Sequence, residues 1–260
     1  MKYFIQLILI LILMNANNIN AEIIEENYEY NIGDKTYQGF VAYDNSVEGI
    51  KPGVLIVHQW KGLGEYEKMR ARMLAELGYV AFAVDIYGKD VRPVSAEESG
   101  QEAGKYYADR NLFRERVNGG LSELLKMSNV DKSKIAAIGY CFGGAGVLEL
   151  ARSGADINGV ISFHGSLKSG NPDDAKNIKT KVLIQHGAVD PNVPESDVSA
   201  FKKEMEDAGK DYVLTEYGGA VHSFTSKNAG NDPSKGSAYN ENADKRSWEA
   251  MKVFFKEIFN

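Results

Sequence analysis

The sequence predicts an α/β fold: a mostly parallel central sheet with helices on both faces and a β-hairpin at the front. Three observations predict it. Short apolar runs of strand length alternate about five times with segments whose apolar residues recur at helical spacing, and that order requires parallel strands joined by crossover helices. Two runs of alternating polarity flank Ile32-Gly33-Asp34 ahead of the first apolar run, which is the pattern of a hairpin. The 260 residues are 43% hydrophobic and 25% charged, an ordinary balance with room for one large domain, and no repeat or linker divides them.

The chain opens differently. Met1-Lys2 is a short basic start, Phe4 to Met14 is apolar except for Gln6, and Asn15 to Ala21 is polar and ends in a small residue. Residues 1–21 therefore read as a secretory signal peptide cleaved after Ala21, leaving one domain over residues 22–260. The apolar run is short for a membrane span, and an uncleaved anchor is the other reading. The expected location is exported, periplasmic or secreted, with no membrane contact after cleavage.

Taken in order, hairpin strands are expected at Glu25 to Asn31 and Lys35 to Tyr43. Pro52-Gly53 leads into a buried strand at Val54 to Val57, which ends in His58-Gln59-Trp60-Lys61-Gly62-Leu63-Gly64. Tyr66 to Leu77 carries Met69, Met73, Leu74 and Leu77 at helical spacing, with Gly78 as its stop. Tyr79 to Val84 is the next strand, closed by Asp85. Ile86 to Gly104 is polar and contains Pro93, so it predicts an irregular segment over a site. Asn111 to Met127 predicts an amphipathic helix, with Phe113, Val117, Leu121, Leu124 and Leu125 as its stripe. Ile135 to Ile138 is a short strand and Ala145 to Arg152 a helix. Gly159 to Phe163 and Val182 to Gln185 are strands on either side of a polar excursion, Ser166 to Lys179. A helix over Glu195 to Ala208 stops at Gly209, and Tyr212 to Tyr217 is the last strand. A long polar loop, Phe224 to Asn242, precedes a closing helix at Asp244 to Phe259.

Composition bounds the function. The formal net charge is −6, which gives no support for nucleic acid or an anionic membrane surface as partner. The single cysteine rules out an internal disulfide and a cysteine-cluster zinc site, and no metal or cofactor is expected. A monomer acting on a small molecule is the expectation.

The chemistry centres on Gly139-Tyr140-Cys141-Phe142-Gly143, between the strand at Ile135 and the helix at Ala145. It is a G-x-C-x-G form of the nucleophile elbow. A strand that turns at once into a helix strains its central residue and leaves no room for side chains beside it. The turn lifts the sulfur over a helix N-terminus, whose partial positive charge favours the thiolate. The plainer reading is a small buried cysteine. A lone thiol in an exported chain is better explained by chemistry than by packing.

A thiol nucleophile needs a base, and the base an orienting carboxylate. His58, His164, His186 and His222 compete. His186 runs straight into the Asp190 loop and reads as structural, and His164 as a pocket residue. Only His222 follows both the nucleophile and a loop-borne acid, the chain order of the elbow enzymes. The acid is Asp190, in Gly187-Ala-Val-Asp-Pro191 just past a strand, in preference to Asp197 inside the next helix. Asp85 precedes the nucleophile and reads as structural. The oxyanion hole should combine the N–H of Phe142 with that of Trp60, from the loop after the first apolar strand.

These stretches resemble the dienelactone hydrolase (carboxymethylenebutenolidase-like) family of α/β-hydrolases. The similar segments are Val57-His-Gln-Trp-Lys-Gly-Leu63, Leu77-Gly-Tyr-Val-Ala-Phe-Ala-Val-Asp-Ile-Tyr-Gly88, Ile138-Gly-Tyr-Cys-Phe-Gly-Gly144, Ser162-Phe-His-Gly165 and Gly219-Ala-Val-His-Ser-Phe-Thr225. The resemblance implies the α/β-hydrolase fold, a Cys141, Asp190, His222 triad, and cleavage of a small ester or lactone through an acyl-cysteine; a thioester is the further possibility. It also brings departures. The family's first loop commonly carries a glutamate that contacts the resting thiol, where this chain has Gln59; the neutral side chain predicts a resting thiolate–imidazolium pair. Of the family's two substrate-binding arginines, one position is Ser226 here. The other falls near Gln101, leaving Arg92 as the substitute. The rival class is a non-catalytic binding or thiol-redox protein on the same fold.

Overall fold

Alternation within the strands decides which helix each side chain meets. The computed structural model describes residues 22–46 and 48–260; the expected signal peptide lies outside them. Among the described residues no helix is long and apolar enough to cross a membrane. Eight strands form one sheet: β1 (Ile23–Ile32), β2 (Lys35–Asp44), β3 (Lys51–Val57), β4 (Val80–Val84), β5 (Val130–Tyr140), β6 (Gly159–Phe163), β7 (Lys181–Gly187) and β8 (Tyr212–Tyr217). Their order across the sheet is β1-β2-β4-β3-β5-β6-β7-β8. The β1–β2 hairpin pairs antiparallel and joins β4 antiparallel, while β4, β3 and β5 to β8 are parallel to their neighbours.

Among the described residues six α-helices cover the sheet: α1 (Glu65–Glu76), α2 (Ala96–Ala108), α3 (Arg110–Leu124), α4 (Phe142–Arg152), α5 (Glu195–Asp207) and α6 (Glu241–Ile258). The odd and even residues of each strand belong to different cores. Leu55 and Val57 of β3, and Val80, Phe82 and Val84 of β4, pack with α3, α4 and α5 through Phe113, Val117, Leu148 and Phe201. Val54 and Ile56, with Ala81 and Ala83, face the other way, against Leu74 of α1 and Met251, Phe254 and Phe255 of α6. Both faces being buried, the strands read as unbroken apolar runs.

One element differs from expectation. The polar segment after β4 contains α2, capped by Ser95, whose side chain accepts from the Glu98 N–H, while Glu98 accepts from the Val94 N–H. It buries only Ser99, Ala103 and Tyr106, too small a stripe to stand out. The Ser95-x-x-Glu98 spacing, that of a capping box, is the sequence signal that marks it. The long loop before α6 is shaped by two short 3₁₀ turns, Lys227–Ala229 and Pro233–Lys235.

Helix α4 runs from Cys141 at its N-cap to Arg152 in its last turn. Around Arg152 lies a buried ion network. The guanidinium takes both oxygens of Glu204 at 2.8 Å and one of Glu149 at 3.2 Å, and the other Glu149 oxygen accepts from Arg114 at 2.8 Å. Arg114 also pairs with Asp174. Every charge there has a partner, which is what burial of ions demands.

Candidate active site

β5 ends at Tyr140 and α4 begins at Phe142, so Cys141 alone makes the turn, with φ 56° and ψ −114°. A side chain rarely accepts that conformation, which costs about 1–3 kcal/mol and is tolerated where neighbours fix it. They do: Cys141 N–H donates to the Phe163 carbonyl at 3.0 Å. A Cβ on Gly139 would overlap the Gly143 carbonyl, and one on Gly143 the Val57 carbonyl. The glycines on both sides are therefore required by the approach of α4 to β3 and β5. Among the described residues two other non-glycine residues have positive φ, His164 at 41° and Ser223 at 57°, and both adjoin the same site.

The C-terminal ends of the parallel strands bring Cys141, Asp190 and His222 together. His222 Nε2 lies 3.1 Å from Cys141 Sγ, and Nδ1 lies 2.8 Å from Asp190 Oδ2. Asp190 is buried and also accepts from the Asn192 N–H through Oδ1. The His222 imidazole is pushed up to about 10: burial opposes its charge, but the hydrogen bonds to Asp190 and Cys141 and their charge outweigh it. The long loop holds the base in place: His222 N–H donates to the Gly236 carbonyl at 3.2 Å, and the His222 carbonyl accepts from Ala238 at 3.1 Å.

A cavity of about 640 Å³ opens at the sulfur, lined by Trp60, Tyr107, Arg110, Lys168 and His222 among others. Among the described residues the N–H groups of Trp60 and Phe142 have no protein acceptor, and Phe142 is the first residue of α4, where such a donor is expected to be free.

Comparison with known proteins places this geometry. Residues 38–259 match the model of the Dienelactone hydrolase family. The chain belongs to that family. A dienelactone hydrolase-like promiscuous phosphotriesterase from metagenomic libraries is 38% identical with a TM-score of 0.88, covering 93% of this chain and all of that one. The structure called m3DLH is 35% identical, again with a TM-score of 0.88, over 92% of this chain and 99% of its own. A Bradyrhizobium probable 2-oxo-3-(5-oxofuran-2-ylidene)propanoate lactonase is 29% identical over 188 residues, 68% of this chain and 75% of its own. The protein is an ester- or lactone-hydrolysing enzyme of the dienelactone hydrolase family.

Three residues expected to line the pocket or tune the thiol lie elsewhere. Arg92 turns away from the cavity: its guanidinium meets Asp85 at 3.3 Å and the Gly88 carbonyl at 2.7 Å. The strong acceptor at the end of β4 captures it, and Asp85 also caps the N–H groups of Gln38, Tyr87 and Gly88. Gln59 lines a separate cavity of about 390 Å³. Its N–H donates to Glu67 Oε1 at 3.1 Å, and its side chain faces the Glu67 carboxyl. Glu67 is buried, and burial raises its pKa even against these contacts. His164 sits behind the base, not in the pocket. It packs edge-on to the His222 ring at 5.3 Å and bonds Thr225 Oγ1 at 2.7 Å. Burial, then the charge of His222, push its pKa well below the usual value and keep it neutral.

The cation that does line the cavity is Arg110, at the first residue of α3. Its Nη1 is buried without a hydrogen-bond partner and its guanidinium lies over Tyr107, 5.2 Å from the ring centroid. Burial lowers its pKa. Lys168, from the excursion after β6, is the second cation, 3.5 Å from Asp197. Arg110 was hidden from the sequence because α2, which carries Tyr107 into the site beside it, was not recognisable as a helix, and Lys168 because it lies in a polar excursion with no periodic pattern.

Proposed function

We propose that Cys141 is the nucleophile of this hydrolase, with His222 as proton shuttle and Asp190 as the carboxylate that orients it. The observation that carries the reading is the continuous Asp190–His222–Cys141 contact, 2.8 and 3.1 Å, at the mouth of the 640 Å³ cavity. The sulfur attacks the carbonyl carbon of a small ester, lactone or thioester. Negative charge moves onto the carbonyl oxygen, where the N–H groups of Trp60 and Phe142 receive it; donors of this kind are worth about 3 kcal/mol each. His222 then gives its proton to the leaving oxygen or sulfur, and an acyl-cysteine remains. Water, losing a proton to His222, attacks the acyl carbon, and the second intermediate collapses to acid and free Cys141.

The raised pKa of His222 suits this sequence, since the imidazolium must persist beside the sulfur until the leaving group needs its proton. The unpaired Arg110 nitrogen and Lys168 favour an acyl part carrying negative charge. Turnover of p-nitrophenyl acetate, with an acetylated protein trapped by rapid acid quench and mapped by mass spectrometry, tests the proposal. An adduct on Cys141 supports it; turnover that survives in Cys141→Ala overturns it.

A further inference from the structure

The Gln59–Trp60 peptide is held from both ends, and one of its holders is a buried histidine outside the triad. The Gln59 carbonyl accepts from His58 Nδ1 at 2.6 Å and from the Gly62 N–H at 3.0 Å. In a trans peptide the N–H points opposite to the carbonyl, so fixing the Gln59 oxygen fixes the direction of the Trp60 N–H. The flanking groups are tied as well: the Trp60 carbonyl accepts from the Tyr87 hydroxyl at 2.9 Å, and the Gln59 N–H donates to Glu67.

The state of His58 follows from its other nitrogen. Nε2 lies 3.2 Å from the Ile86 N–H, which can only donate. Nε2 is therefore the acceptor, and the proton sits on Nδ1, aimed at the Gln59 carbonyl. The ring is fully buried between Tyr87, edge-on at 4.6 Å, and Phe142, stacked at 5.8 Å. It thus touches the residue that carries the other free N–H. The charged groups facing it are Asp85 and Arg92, one of each sign; burial dominates and pushes its pKa down to about 4, so the ring stays neutral through the working range.

We propose that His58 is a positioning residue of the oxyanion hole: by donating to the Gln59 carbonyl it aims, and through the polarised peptide strengthens, the Trp60 N–H. This rests on the reading of Trp60 as an oxyanion donor.

Two isosteric changes separate the two nitrogens. In His58→Asn the amide nitrogen stands near the place of Nδ1 and keeps the donor to Gln59. In His58→Gln the amide oxygen reaches the place of Nε2 and keeps the acceptor for Ile86, but the donor to Gln59 is lost. Each variant is assayed for kcat and KM on p-nitrophenyl acetate, for iodoacetamide alkylation of Cys141, and for melting temperature. Alkylation builds no oxyanion and so reports the thiol alone. His58→Gln should lose about tenfold or more in kcat, less than the hundredfold or greater loss of an absent donor, with KM and alkylation unchanged. His58→Asn should recover most of that loss. Equal losses in the two variants, a fall of alkylation in step with kcat, or full kcat in His58→Gln would overturn the proposal. Should His58→Gln not fold, the Asn variant decides: near wild-type kcat supports the role, and a tenfold fall refutes it. A wild type whose thiol is alkylated but which turns over no ester, lactone or thioester would overturn the reading of the site itself.

Discussion

The two ends of α4 both gather buried ionisable groups, and they are built to opposite rules. At the C-terminal end Arg152, Glu149, Glu204 and Arg114 are fixed ions, each matched by a partner of opposite sign. At the N-terminal end the groups are Cys141 and His222, which can exchange a proton, and Asp190, which cannot leave. At one end Arg152, Glu149 and Glu204 are buried and only Arg114 keeps some exposure, while the other end opens on a cavity. The guanidinium at the last turn agrees in sign with the helix dipole, and the proposed nucleophile sits at the positive end. The difference teaches that burial of charge is not itself a mark of function. Complete pairing makes an anchor; a titratable pair with one face toward a cavity makes a reagent.

The contrast breaks most visibly if the ends can be exchanged in effect. Cys141→Ala should cut kcat for p-nitrophenyl acetate by at least about 10⁴-fold while the melting temperature moves by only a few degrees. Glu204→Gln should do the reverse. Leaving Arg152 short of its main partner should cost about 3–5 kcal/mol in denaturant unfolding, with kcat/KM per folded molecule within about threefold of wild type. Loss of activity in the folded Glu204→Gln protein would join the two ends.

The N-terminal end alone should also set the alkaline limit of stability. Folded His222 holds its proton to about pH 10, whereas the ordinary histidine value is 6.5. Its contribution is therefore complete below about pH 6.5 and is lost as pH rises toward 10. His58 acts in the opposite sense: it resists protonation down to about 4, so the unfolded chain binds more protons between 6.5 and 4 and stability falls with falling pH. Melting temperature against pH should peak near pH 6 to 7, and Cys141→Ala should flatten the alkaline side alone. An unchanged alkaline side would mean that the sulfur does not hold the imidazolium.

Arg110 stands between the two regimes, a half-buried cation near the anchor's ions but with a buried nitrogen left unpaired at the cavity. Arg110→Met should raise KM about tenfold for an ester bearing a carboxylate on its acyl chain. It should leave neutral esters alone and not lower the melting temperature. A drop in stability would make Arg110 a fifth anchor residue. The smallest effect is expected at Gln59→Glu. Because residue 59 faces the Glu67 carboxyl, the new acid should share a proton with Glu67 and change the rate of Cys141 alkylation by less than about threefold. A large slowing would put residue 59 against the sulfur after all.

What was legible in the sequence was what is decided locally. The unbroken apolar runs of β3 to β7 and the glycines around Cys141 report backbone approach that any neighbouring side chain would prevent, and chain order brought Asp190 and His222 into the reading. What was not legible depends on competition between distant groups. Arg92 has the reach to enter a pocket, but Asp85 takes it. The side chain of Gln59 follows Glu67, eight residues on. The α2 helix shows only Ser99, Ala103 and Tyr106 to the core, and without it neither Tyr107 nor Arg110 could be placed. His164 was seen, yet its position behind His222 is set by Thr225, Tyr66 and Arg70, which bond in turn across three elements.

The clamp on His222 has a consequence for how the protein comes into being. The base is gripped by Gly236 and Ala238, and the turn that follows it is tied at the Thr225 carbonyl through Arg70 to Asp244 in the last helix. A chain made from its N-terminus forward completes β5 and the elbow long before those residues exist. Through most of synthesis the thiol therefore has neither its base nor its closed pocket, and the reactive pair is assembled by the last quarter of the chain to emerge.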